Sequence, residues 1–127
     1  MQTSVMLSIK PEYANRIFDG SKRFEFRRRL FANRTIKTIV VYATAPISKV
    51  IGEFEIDSIL ELNLELLWEE TKLYSGISKP LFDRYFLGQT RGYALKIQQA
   101  RKYDFPLSLP AHYNVKRAPQ SFVYVYA

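Results

Sequence analysis

The chain has 127 residues, 47% of them hydrophobic and 15% aromatic, and a net charge of +7 at neutral pH. These values predict one globular domain over residues 1–127 and exclude a disordered chain. With no cysteine, disulfides and thiolate metal sites are excluded. No apolar run approaches the ~20 residues of a membrane span. Met1–Leu7 lacks the basic and apolar regions of a secretion signal, so the expected location is cytoplasmic, with no membrane partner.

Ser4–Ile9 reads as a first strand. Pro11 suits the first turn of a helix running to Asp19, with Tyr13, Ile17 and Phe18 inward and Gly20 ending it. Arg23–Arg28 alternates with period two, so Phe24 and Phe26 take one face and Arg23, Glu25 and Arg27 the other. Arg29–Thr35 is a basic loop. Ile36–Ala43, rich in β-branched residues, reads as a buried strand broken by Pro46. Val50–Leu60 follows as the longest strand, and Gly52 marks a bulge or bend. Leu64–Tyr74 and Ser78–Gly88 carry helical spacing, with Ser78 as N-cap and Pro80 in the first turn. Gly92–Ala100 returns as a strand, Phe105–Pro110 is a Pro-punctuated loop, and Ser121–Tyr126 closes the series. There is no repeat, low-complexity segment or linker. The order predicts an α+β fold, a small mixed β-barrel decorated by about three helices.

Charge is segregated along the chain. The segment from Lys22 to Lys37 carries +6, and Glu53 to Glu70 carries −7. From Arg84 to Arg117 the balance is positive again. This predicts a bipolar surface whose basic face attracts phosphates. The plainer reading is that the charges only solvate the surface.

Many chemistries are excluded. The single histidine, His112, sits in the Pro-rich loop and supports neither a metal cluster nor a Ser-His-Asp triad. Neither a phosphate-binding GxxxxGK[ST] loop nor a glycine-rich dinucleotide fingerprint is present. Glu53, Glu55, Asp57 and Glu61 read as a solvated acidic face, so neither metal nor cofactor is expected. What remains is the group around Lys22, Glu25 and Arg27. A lysine beside a glutamate serves as a general base when burial or neighbouring cations lower its pKa. In the structural reading Glu25 simply pairs with its arginines. Tyr13, Tyr42, Tyr85, Tyr93, Tyr113 and Tyr124 are candidate stacking platforms for bases.

The stretch Gly20-x-Lys22-x-x-Glu25-x-Arg27 resembles the signature of the ASCH family, whose members have a PUA-like barrel. Leu7-Ser8-Ile9-Lys10-Pro11, Tyr42-Ala43-Thr44 with Pro46, Val50-Ile51-Gly52-Glu53-Phe54, Tyr74-Ser75-Gly76-Ile77-Ser78 and Pro119-Gln120-Ser121-Phe122 resemble a bacterial and phage branch of it. The resemblance implies a cleft lined by the motif and a role close to RNA, a nucleotide or a modified nucleoside. Some members are similar to amidohydrolases of acylated cytidine and others to ribonucleases. The amidohydrolase pattern has a lysine, a threonine and a distant glutamate. Lys22 matches the lysine, Glu25 stands at the threonine position, and no acid stands near Ser75-Gly76.

The expected function is therefore binding of RNA, a nucleotide or a modified nucleoside in a basic cleft. The alternatives are a small RNA-directed enzyme, with Lys22 and Glu25 as its catalytic residues, and a protein-interaction domain docking through Glu61–Glu70. First and last strands come together in a small barrel, so the expected ligand-binding set is Ser8, Lys10, Lys22, Glu25, Arg27, Tyr42, Thr44, Gln120 and Ser121. Arg28, Arg29, Arg34 and Lys37 form the expected approach surface for phosphates. The Lys22 ammonium is expected outside the core.

Overall fold

The structure is a computed structural model that describes residues 3–113 and 115–126. Its elements are β1 (Thr3–Ile9), α1 (Pro11–Asp19), β2 (Phe24–Arg27), β3 (Thr38–Ala43) and β4 (Lys49–Asn63), then α2 (Leu64–Thr71) and a 3-10 turn (Lys72–Tyr74). The chain continues through α3 (Lys79–Tyr85), β5 (Arg91–Leu107), α4 (Leu109–His112) and β6 (Phe122–Tyr126). Pro11 opens α1 and Gly20 caps it, and Ser78 caps α3 by accepting from the Leu81 amide. One expectation about the elements is corrected. The predicted loop Phe105–Pro110 divides into the end of β5 and the start of α4. Pro106 is tolerated in the strand because the β4–β5 register shifts between Val50 and Gly52, where the ladder is already interrupted.

The strands form one six-stranded mixed sheet in the order β2-β5-β4-β3-β1-β6. β1 runs parallel to β3 and antiparallel to β6, so first and last strands are direct neighbours. The sheet does not close: β2 and β6 remain its two edges, which corrects the expected barrel. β2 has only four residues, and side chains rather than a second ladder cover its outer edge. Arg27 Nη2 donates to the Ser8 carbonyl of β1 at 3.1 Å, and the Arg28 amide donates to Tyr85 Oη at 3.3 Å.

Both faces of the central strands are buried, which is why β1 and β3 read as near-continuous apolar runs. Val5, Leu7 and Ile9 join Ile39, Val41, Phe54 and Leu95 in the main core, sealed by Ala14 and Ile17 of α1 and by Phe31 and Ile36 from the β2–β3 loop. Met6, Val40 and Val125 alternate to the opposite face, under Leu109 of α4. A third cluster joins Phe24 and Phe26 to Leu67, Phe82 and Phe86 of the α2–α3 layer. It fixes β2 against the helices that wall the site.

The segregated charges meet across strands. Glu53 Oε1 accepts from Arg101 Nη2 at 3.0 Å and from Tyr103 Oη at 2.7 Å. Asp57 faces Lys96 at 3.9 Å, and Glu61 faces Arg91 at 4.0 Å. Folding therefore sets acids of β4 against cations of β5, and the expected acidic pole shrinks towards α2. The basic segment after α1 has one acid, Glu25, and keeps its field. Among the described residues no helix is long and apolar enough to cross a membrane.

Candidate nucleotide-binding site

Lys22 follows the turn that ends α1, and its amide donates to the Arg16 carbonyl at 2.9 Å. Its side chain runs beneath the segment 74–77. Lys22 Nζ donates to the Ser75 carbonyl at 2.7 Å, the Arg23 amide donates to the Tyr74 carbonyl at 2.8 Å, and Arg16 Nη1 donates to the Gly76 carbonyl at 2.6 Å. The ammonium lies 4.8 Å from the centroid of Phe26 and 5.7 Å from that of Tyr13. Lys22 is only 2% exposed, which corrects the expectation of an ammonium outside the core. One backbone carbonyl and two aromatic faces surround this buried cation, an arrangement without any sequence signature. Burial lowers its pKa to about 8, and the nearby Glu25 carboxylate limits the fall.

Gly76 makes this path possible. It has φ +69°, and a Cβ there would lie 2.4 Å from Lys22 Cβ and 2.5 Å from Lys22 Cγ. Gly76→Ala is expected to destabilise the fold by about 1–3 kcal/mol through backbone strain and displacement of Lys22. Urea unfolding checks this, and an unchanged midpoint would mean that the 74–77 segment yields freely.

Glu25 and Arg27 share the face of β2 opposite Phe24 and Phe26. Arg27 Nη2 lies 2.9 Å from Glu25 Oε2, with both side chains about nine-tenths buried. Arg27 Nε is sealed from solvent without a hydrogen-bond partner among the described residues. Two pockets adjoin along this seam. The first, about 350 Å³, is lined mostly by apolar surface, with Lys22, Glu25 and Arg27 beside Tyr13, Ile77 and Leu81; Ser8, Lys10 and Arg84 stand at it too. The second, about 530 Å³, is mostly polar and is lined by Arg27, Arg28, Arg29, Gln89, Gln120 and Ser121. Arg27 and Tyr85 belong to both. Burial pushes the pKa of the Tyr85 hydroxyl up, with Arg27 opposing, so that ring stays neutral as a dividing wall.

Of the expected ligand-binding set, Ser8, Lys10, Lys22, Glu25 and Arg27 line the first pocket, and Gln120 and Ser121 the second. Tyr42 does not line either: strand alternation sends Val41 into the main core and Tyr42 to the opposite face, packed with Met6 and Val50. Thr44 also falls outside, since its backbone is engaged in the turn after β3, where its amide donates to the Ile9 carbonyl. Of the expected approach surface, Arg28 and Arg29 stand at the second pocket. Arg34 lines neither; its guanidinium donates to the Phe31 carbonyl and lies over the Tyr93 ring. Lys37 lines neither, being placed where its carbonyl accepts from Ile56 of β4. Ile77, Leu81, Arg84 and Gln89 were not expected at the site. The Leu81–Tyr85 spacing on one face of α3 is the signal for this wall, but an apolar helical stripe reads as core.

Comparison with known proteins gives a consistent picture. A family model for the ASCH domain matches residues 7–104. The chain is 32% identical over 123 residues to the large ribosomal subunit protein uL22 of Ureaplasma parvum, covering 96% of this chain and 39% of that protein. It thus spans about two fifths of that relative's length. It is 30% identical over 93 residues to an ASCH domain-containing ribonuclease of Zymomonas mobilis, covering 73% of this chain and 63% of the relative. The crystal structure of ASCH from Zymomonas mobilis superposes with a TM-score of 0.83 at 27% identity, covering 97% of this chain and 87% of that one. By the extent of the family match, the fold and the motif around Lys22, the chain belongs to the ASCH domain family.

Proposed function

We propose that residues 1–127 act as one RNA-binding domain that holds an unpaired base in the first pocket and its flanking phosphates in the second. The observation carrying this reading is that an apolar pocket with buried charges adjoins a polar pocket with three arginines, sharing Arg27 and Tyr85. A nucleotide has that duality: an apolar ring with a hydrogen-bonding edge, joined to an anionic backbone. Arg28 and Arg29 are exposed, as cations that follow a moving backbone need to be. Arg28→Ala/Arg29→Ala is expected to weaken binding of single-stranded RNA across sequences and to flatten the log–log salt slope by about 1.4. Arg34→Ala/Lys37→Ala should change it little. Fluorescence anisotropy at several salt concentrations measures both, and an unchanged slope in the first variant would place the phosphates elsewhere.

One observation favours a second reading, a ribonuclease. With a pKa of about 8, about a tenth of Lys22 is neutral at pH 7 and able to take a proton from a ribose hydroxyl. The ribonuclease name of the Zymomonas mobilis relative agrees with it. Cleavage of single-stranded RNA by the wild-type chain, lost in Lys22→Met, would establish this reading. Intact RNA after prolonged incubation would leave binding alone.

A further inference from the structure

In the first pocket Glu25 stands next to both cations, paired with Arg27 at 2.9 Å and near enough to Lys22 to oppose the fall of its pKa. Lys22 Nζ gives one N–H to the Ser75 carbonyl and keeps two. Glu25 Oε2 faces Arg27, while Oε1 has no protein donor among the described residues and is not sealed from solvent. Arg27 Nη2 serves Glu25 and Ser8, while Nη1 has no protein acceptor among the described residues and also keeps contact with solvent. The pocket wall thus presents a donor, an acceptor and a donor, with Glu25 between Lys22 and Arg27. Such an array discriminates by leaving mismatched polar groups unpaired.

Only one common base edge complements it fully. Uracil presents O4, N3–H and O2, which are acceptor, donor and acceptor. Cytosine presents a donor and two acceptors, so its N3 lone pair would oppose the Glu25 carboxylate. Guanine sets its N2 amine against the Arg27 guanidinium, and adenine opposes its N1 lone pair to Glu25. Thymine shares the uracil edge. The rings of Tyr13 and Tyr85 stand at the same pocket as stacking surfaces. We propose that Lys22, Glu25 and Arg27 select the 2,4-dioxopyrimidine edge of an unpaired uracil or thymine; this rests on the RNA-binding reading above.

The test is binding of short oligouridylate, oligocytidylate and oligoadenylate to the whole chain by fluorescence anisotropy, with competition by GMP. Oligouridylate is expected to bind about tenfold or more tightly than the others. Oligouridylate methylated at N3 should lose this advantage, because the donor facing Glu25 is gone. Glu25→Gln should shrink the uridine-over-cytidine ratio, since an amide serves either edge. Oligothymidylate separates the two sources. Affinity equal to that of oligouridylate means the edge is read regardless of sugar and methyl group, and weaker binding assigns the site to RNA. Equal binding of all oligomers, or no penalty for N3 methylation, would overturn the edge selection while RNA binding stands. Failure of every oligomer to bind would overturn the RNA-binding reading itself.

Discussion

Lys22→Met is expected to abolish RNA binding in the cleft while leaving the chain as stable as the parent, or more so. Burial holds the Lys22 pKa at about 8, against 10.5 for a free lysine. That depression corresponds to about 3 kcal/mol of native-state destabilisation at neutral pH. Methionine has similar length and removes that penalty. It also leaves the Ser75 carbonyl without its donor, a loss of about 1–3 kcal/mol. The net effect is near zero or slightly stabilising.

The pH dependence gives an independent check. Between pH 8 and 10.5 the unfolded chain holds a proton on Lys22 that the folded chain has released. Stability of the parent from this group therefore rises with pH across that window. The variant lacks this rise. Taking the difference between parent and variant cancels the tyrosines that ionise at the upper end. Denaturant unfolding of both proteins at pH 7 and pH 9 measures it, and parallel pH profiles would show that Lys22 is solvated in the folded protein.

Arg27→Met is expected to be the most destabilising single change in the site, by about 3–5 kcal/mol. Arg27 is the side chain that spans the open seam of the sheet, pairing with Glu25 on β2 and donating to Ser8 on β1. Its removal strands a carboxylate that is about nine-tenths buried and unties the edge strand. The double variant Glu25→Gln/Arg27→Met should recover part of the loss because no charge is left unpaired. Arg27→Lys should not rescue, since a single ammonium lacks the planar fork that serves both acceptors. Urea midpoints across the set decide this, and a loss below about 1 kcal/mol would place the seam's strength elsewhere.

The alternation Arg23–Arg28 contained both halves of this arrangement: a core face of phenylalanines and a polar face with Glu25 between cations. The succession of strands along the chain was legible for the same reason, because apolar periodicity records which face is buried, whereas the order in which they pair was not. First and last strands were expected together from barrel closure, and they are neighbours in a sheet that stays open. Closure was not legible. Whether a curled sheet pairs its edges depends on the short length of β2 and on Arg27 and Tyr85 occupying the gap, and neither leaves a periodic trace. Tyr42 shows the limit of motif reasoning, since a ring next to matched residues in sequence points to the opposite face of the sheet. The Ser75 carbonyl, which holds Lys22, is invisible in any sequence because every residue but its side chain is alike there. Arg84 and Gln89 were hidden because loop and helix ends reach a pocket only through tertiary packing.

The pairing of Thr3 with Tyr126 brings the outer ends of the first and last strands side by side. Residues opposite each other on antiparallel strands lie about 4.5–5.5 Å apart. A polypeptide that enters the sheet at β1 thus leaves it at β6 one strand spacing away. A unit with such closely spaced ends can be spliced into a surface loop of a host protein without prising the loop apart. Ser8 and Lys10, like Gln120 and Ser121, lie at the opposite ends of these two strands, about 17 Å or more from the Thr3–Tyr126 pair, so a host joined at that pair stands away from the cleft and leaves its mouth open.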